Sequence, residues 1–170
     1  MLNRITYLID RLSGATGFTG GCLVLPLAIV MFYEVVLRFF FDLPTFWAFE
    51  LSYMMTGAHF ALGIAYVMRE GRHIRIDFLY TRFSVRIKAV INILINTIFL
   101  FPLIAWMTSL LVEKAILAFI IGEVSGESEW NPMIWPVYSA VAFGFLVFSA
   151  QIFAEIIKSG RILFTRKSLD

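Results

Sequence analysis

Three charges stand close together in a chain that otherwise avoids them: Glu34, Arg38 four residues on, and Glu50 across a DLP turn at residues 42–44. Carboxylates beside an arginine can carry a proton, hold an ion or neutralise one another. An isolated charge at mid-membrane costs about 2.5–3.5 kcal/mol on insertion scales, so mutual compensation is the favoured expectation, with Arg38 bridged by Glu34 and Glu50. The competing chemistry makes Glu34 a proton-carrying acid, as in a self-sufficient proton-coupled small multidrug exporter. A second concentration of polar chemistry is VMREGRHIRIDFL at residues 67–79, with three arginines, a histidine and two carboxylates.

Neither group resembles an enzyme site. His59 lies midway along an apolar run and the only other histidine, His73, lies in the polar turn, so two axial haem ligands at one depth are lacking. His59 is expected to hydrogen-bond to a neighbouring helix. Cys22 is the single cysteine, which excludes an internal disulfide and a CxxC pair. With no nucleophile beside a base, no metal-ligand cluster and no phosphate-cradling glycine loop, the expectation is no catalytic residue, no metal site and no cofactor.

The elements that must position these groups follow from composition. The 170 residues are 60% hydrophobic and 15% charged, and the mean hydropathy of +0.84 lies outside the range of a soluble globule. Charge-free runs at residues 12–33, 51–68, 89–112 and 130–154 each come to about the 20 residues needed to cross about 30 Å of hydrocarbon. The runs are unbroken rather than alternating, which selects helices over a barrel. The expected fold is an all-α integral membrane protein, a single domain over residues 1–170 with spans near 12–38, 46–69, 87–112 and 132–157. The first run is too long for a signal-peptide h-region, lacks a cleavage pattern and is expected to stay attached.

Basic residues set the expected orientation. Two lie before the first span, six between spans two and three, and four after the last, which is twelve of the 14. If the N-terminus is cytoplasmic, all twelve face the cytoplasm, as the positive-inside rule requires. Both termini are therefore expected there, with VMREGRHIRIDFL as the cytoplasmic turn and the Glu-rich segment between spans three and four outside. Bases divided among three membrane-proximal segments give no support to nucleic-acid binding. Leu79, Phe83 and Ile87 recur at i, i+4 and i+8, which suits a short helix lying on the cytoplasmic surface between spans two and three. Beyond Glu113-Lys114 the chain is apolar again but too short to span: either the third helix projects past the membrane or this stretch lies at the interface. Gly17 and Gly21 form a GxxxG, and Gly57, Ala61 and Ala65 repeat small residues at the same interval, faces that allow close helix approach. Most apolar faces are left for lipid or a large partner to cover.

These strings, in order, resemble the small membrane (Q-type) subunit of the TRAP, or tripartite ATP-independent periplasmic, transporters. RFFFDLPTFWAFE, with Arg38, Trp47 and Glu50, looks like the family's arginine, short turn and Trp-x-x-Glu. REGRHIRIDFL, with Arg72, His73 and Asp77, looks like its basic, glycine and His-to-Asp pattern. Gly122-Glu123-Val124-Ser125, Trp135-Pro136 and Gln151 resemble weaker C-terminal signals, and the acidic, Trp-bearing loop GESEWNPMIWP departs from the pattern.

The resemblance implies a division of labour. A periplasmic substrate-binding protein captures an organic acid or related solute, and a large membrane subunit holds the substrate and sodium sites. The small subunit, in the bacterial or archaeal cytoplasmic (inner) membrane, is a scaffold for that partner. Glu34, Arg38, Trp47, Glu50, Arg72, His73 and Asp77 are then structural or assembly residues, with the last two docking the turn after span two at the cytoplasmic interface.

Overall fold

The computed structural model describes residues 2–71 and 84–167. Arg72, His73, Asp77 and most of the expected surface helix lie outside the described residues. Among the described residues, four stretches are long and apolar enough to cross a membrane: Asn3–Phe41, Ala48–Arg69, Ile87–Ile121 and Trp135–Leu163. The chain is an all-α membrane protein, and among the described residues its helices are built as six α-helical segments: α1 (Leu2–Cys22), α2 (Val24–Phe41), α3 (Ala48–Arg69), α4 (Val85–Leu94), α5 (Phe101–Ile121) and α6 (Trp135–Lys167).

Two of the spans are interrupted where a proline removes a donor. Pro26 stands in the first turn of α2, so one carbonyl of the preceding turn has no amide to receive. The chain yields at Leu23, whose amide reaches back only three residues, to Gly20 O at 3.1 Å, before helix resumes. In the third span Pro102 lies at the start of α5. The segment Ile95–Leu100 joining α4 to α5 widens into a π-type turn, in which the Phe101 amide bonds to Asn96 O five residues back. Asn96 is buried beside this turn.

The helix α5 runs on to Ile121 without a break, so the third helix projects past its Glu113-Lys114 pair rather than ending there. It stops in a left-handed Gly122 (φ +64), with Glu123 N–H bonded to Ala118 O at 2.9 Å and Gly122 N–H to Phe119 O. That is the six-to-one and five-to-two pattern by which a glycine closes a helix C-terminus.

The longest helix, α6, is the hub: it packs against α1, α3, α4 and α5. Ala65 and Met68 of α3, Ile104 of α5, and Val147, Phe148 and Ile152 of α6 form the buried core. Backbones approach closely where side chains are smallest. At Gly144 an added Cβ would overlap the carbonyl of Ala61, so α6 and α3 touch there almost main chain to main chain. Along α1 the stripe that meets α3 is Gly14, Gly17 and Gly20, facing Arg69, Tyr66 and His59 in turn, whereas Gly21 and Gly57 face open space. The GxxxG expected from Gly17 and Gly21 is thus replaced by a three-residue repeat. The i±3 ridge, not the i±4 ridge, meets α3.

The helix α2 has no buried residue and lies along α3 with its outer faces bare. Phe32 (71% exposed), Phe39 (80%) and Phe40 (73%) typify the apolar surface left open.

Candidate functional site

Among the described residues, paired charges gather in two clusters at opposite ends of the helices. The first surrounds the turn between α2 and α3. Arg38 donates through Nε and Nη2 to Glu34 Oε1, at 3.0 and 2.6 Å. The other oxygen of Glu34 accepts the Thr45 amide at 3.1 Å and the Thr45 hydroxyl. One carboxylate therefore fixes both the end of α2 and the turn that follows it. The turn begins at Asp42, which adopts a left-handed φ of 50°, and Leu43 N–H returns to Leu37 O at 3.2 Å. Trp47 closes the turn by stacking on Tyr33, ring centroids 6.0 Å apart with planes at 28°.

Glu50 does not join this group. The expected bridge from Arg38 to both acids is half correct: among the described residues, Arg38 pairs with Glu34 and not with Glu50. The reason is direction. Glu50 points inward from the first turn of α3 and is 0% exposed, while the Arg38 side chain is 64% exposed on a helix with nothing buried.

The partners of Glu50 come instead from the connection between α5 and α6. Ser125 donates its hydroxyl to one carboxylate oxygen, and Ser128 donates to the other at 2.7 Å. Those hydroxyls in turn receive loop amides, Glu127 N–H at Ser125 and Trp130 N–H at Ser128, the latter at 3.2 Å. Positive φ at Gly126 and Asn131, a 2.7 Å bond from Gly126 N–H to Asn131 Oδ1, and a single antiparallel bridge between Val124 and Met133 complete the loop. Lys114 reaches up from α5 to Glu123 at 2.9 Å. A buried, hydrogen-bonded carboxylate thus organises a loop that would otherwise have little to fold around.

The second cluster ties the beginning of α1 to α6. Gln151 is fully buried and uses both ends of its amide: Oε1 accepts Ser13 Oγ at 2.7 Å, and Nε2 donates to Asp10 Oδ1 at 2.9 Å and Glu155 Oε1 at 3.0 Å. Lys158 spans the same two acids, at 2.6 Å to Asp10 and 2.7 Å to Glu155. Arg69 of α3 adds a 3.2 Å bond to the backbone carbonyl of Asp10. Gln151, Glu155 and Lys158 follow one another at four and three residues, so a single face of α6 presents all three. Between the clusters, His59 Nδ1 lies 2.8 Å from Gly20 O, the interhelical hydrogen bond expected of it.

Of the residues singled out in the sequence, Glu34, Arg38 and Trp47 meet at the α2–α3 turn, whereas Glu50 turns inward to the α5–α6 loop. Sequence reasoning missed Asp10, Ser13, Thr45, Ser128, Glu155 and Lys158. The usable signal was the four-and-three spacing after Gln151, together with Asp10 as the one acid of the first segment.

Both clusters are chemically closed. Glu34, Glu50, Asp10 and Glu155 each have protein donors, and the cations Arg38, Lys114 and Lys158 each have a carboxylate. Such groups bind helices and loops together, and they coincide with the strings RFFFDLPTFWAFE, Gly122-Glu123-Val124-Ser125 and Gln151. No curated protein and no solved structure matches the chain. The sequence model of the Tripartite ATP-independent periplasmic transporters, DctQ component, matches residues 27–161, and the chain belongs to that family.

Proposed function

We propose that the chain, a small permease subunit of a TRAP transporter and a multi-pass membrane protein, serves as a fixed scaffold for the large membrane subunit during sodium-coupled, binding-protein-dependent uptake of an organic acid or related solute, in the bacterial or archaeal inner membrane. It works without a cofactor of its own, and the sodium and substrate sites belong to the large subunit. The observation that supports this is a contrast. Charged groups in the two clusters are held by protein partners, while α2, with no buried residue, and the outer faces of α3 and α5 expose large apolar side chains. A transporter acting alone needs polar groups free to meet cargo, whereas a scaffold needs a wide apolar surface for a neighbour. An exporter working through Glu34 is not favoured, because that carboxylate is already held by Arg38 and Thr45.

Reconstitution tests the proposal. Vesicles containing only this chain should take up no labelled organic acid under a sodium gradient, with or without the binding protein. Vesicles that also contain the large subunit should take it up when binding protein and sodium are supplied. Uptake or dye export by the chain alone would overturn the scaffold role.

A further inference from the structure

One face of α5 repeats apolar residues at alternating intervals of three and four: Leu103, Trp106, Leu110, then Leu117 and Ile120. All five are exposed, from 47% at Leu117 to 70% at Ile120. The position that completes the alternation, between Leu110 and Leu117, is Glu113. This is the a/d seam of a coiled coil, the pattern that seats one helix against another, with a single charge at its centre.

Glu113 is exposed and, among the described residues, makes no ion pair and no side-chain hydrogen bond, although its neighbour Lys114 is closed onto Glu123. It edges a groove of ≈ 630 Å³ between α5 and α6, with Ala105, Val112 and Leu146 among its walls. The base of the groove is sealed: Thr108 Oγ1 donates to Ile104 O at 2.7 Å and lies 3.1 Å from Ser149 Oγ. Exposed apolar side chains flank Glu113 along the helix in both directions, so lipid alone would leave the carboxylate without a donor. Apolar seams need no special partner in a bilayer, but a charge in the middle of one does.

We infer that this seam and groove receive one transmembrane helix of the large subunit, and that this helix places an arginine or lysine against Glu113. The inference rests on the scaffold role proposed above. Like a lone polar residue at an a position, the ion pair fixes the register of the two helices and selects the partner.

The test uses the full chain co-expressed with the large subunit. A photo-crosslinking amino acid at Leu110 or Leu117 should capture the large subunit through one helix containing a basic residue. Glu113→Lys should lower capture and co-purification in mild detergent at least tenfold, and reversing the partner's basic residue to Glu should restore them. Glu113→Leu suits lipid, so it should keep the wild-type membrane level while losing capture at least tenfold. That split separates a docking role from a folding role and holds even if Glu113→Lys fails to accumulate.

Wild-type capture by Glu113→Leu would overturn the inference. So would crosslinks from Leu110 and Leu117 only to lipid or to a second copy of the chain. If the large subunit co-purifies but crosslinks only from other faces, the seam fails and the scaffold role stands. If the wild-type chain never associates with the large subunit, both fall.

Discussion

Glu50 is the residue around which the α5–α6 loop is organised, and its energetics can be ranked by substitution. A carboxylate taken fully out of solvent is tolerable only with donors, and here the donors are the Ser125 and Ser128 hydroxyls. Glu50→Gln retains shape and can still accept or donate to a hydroxyl, so it should cost about 1 kcal/mol. Removing both hydroxyls by Ser125→Ala with Ser128→Ala leaves the charge buried and unpaired, and should cost about 3–5 kcal/mol. Thermal unfolding of the purified chain in mild detergent would check the order; a double serine variant as stable as Glu50→Gln would contradict it. The sequence made Glu50 conspicuous as an acid beside an apolar run, but not its partners. Those partners lie 75 and 78 residues away, and no local periodicity encodes which serine of a loop faces inward. Glu34 and Arg38 were legible because four residues along one helix is a local geometry.

At the level of elements, four spans could be read directly because lipid forbids any other use of a long charge-free run. Their true lengths could not. Hydropathy marks where a helix is apolar, not where its hydrogen bonds stop, so α5 continues to a glycine cap at Gly122 and the first span begins near Leu2. The breaks at Leu23 and at Ile95–Leu100 were hidden because Pro26 and Pro102 sit inside apolar runs, where side-chain character stays uniform while the backbone changes. The glycine register failed for a related reason: three- and four-residue spacings are equally helical, and only the crossing of α1 over α3 decides between them. That crossing makes a sharp contrast between glycines. Gly144→Ala drives a methyl into the Ala61 carbonyl and should destabilise by about 1–3 kcal/mol, the usual cost of overpacking. Gly57→Ala meets open space and should change stability by about 0.5 kcal/mol or less. Because the obstacle at Gly144 is main chain, adding Ala61→Gly should not rescue Gly144→Ala in the same unfolding measurement. Rescue would mean that the contact is made by the Ala61 methyl.

For the whole molecule, the two clusters fix which parts lie on the same side of the membrane. Lys158 near the end of α6 is bonded to Asp10 near the start of α1, so the first and last helices have those ends on one side. Glu50 holds Ser125 and Ser128, so the α2–α3 turn and the α5–α6 loop share the other. These contacts are indifferent to which side is the cytoplasm. Charge supplies that choice: twelve of the 14 basic residues fall at residues 4–11, 69–88 and 158–167 of the sequence, and basic residues in short membrane-proximal segments are retained in the cytoplasm. We therefore expect the α5–α6 loop to be periplasmic. With Cys22→Ser removing the native thiol, Glu127→Cys should react with a membrane-impermeant maleimide in intact cells, and Asn3→Cys only after the membrane is permeabilised. The reverse pattern would set the charge bias aside while leaving both clusters intact, and it would place the Glu113 seam in the opposite leaflet. Labelling of both cysteines in intact cells would point to dual insertion. A scaffold with one matching surface for a large partner cannot tolerate that outcome, since half of the copies would present the seam upside down.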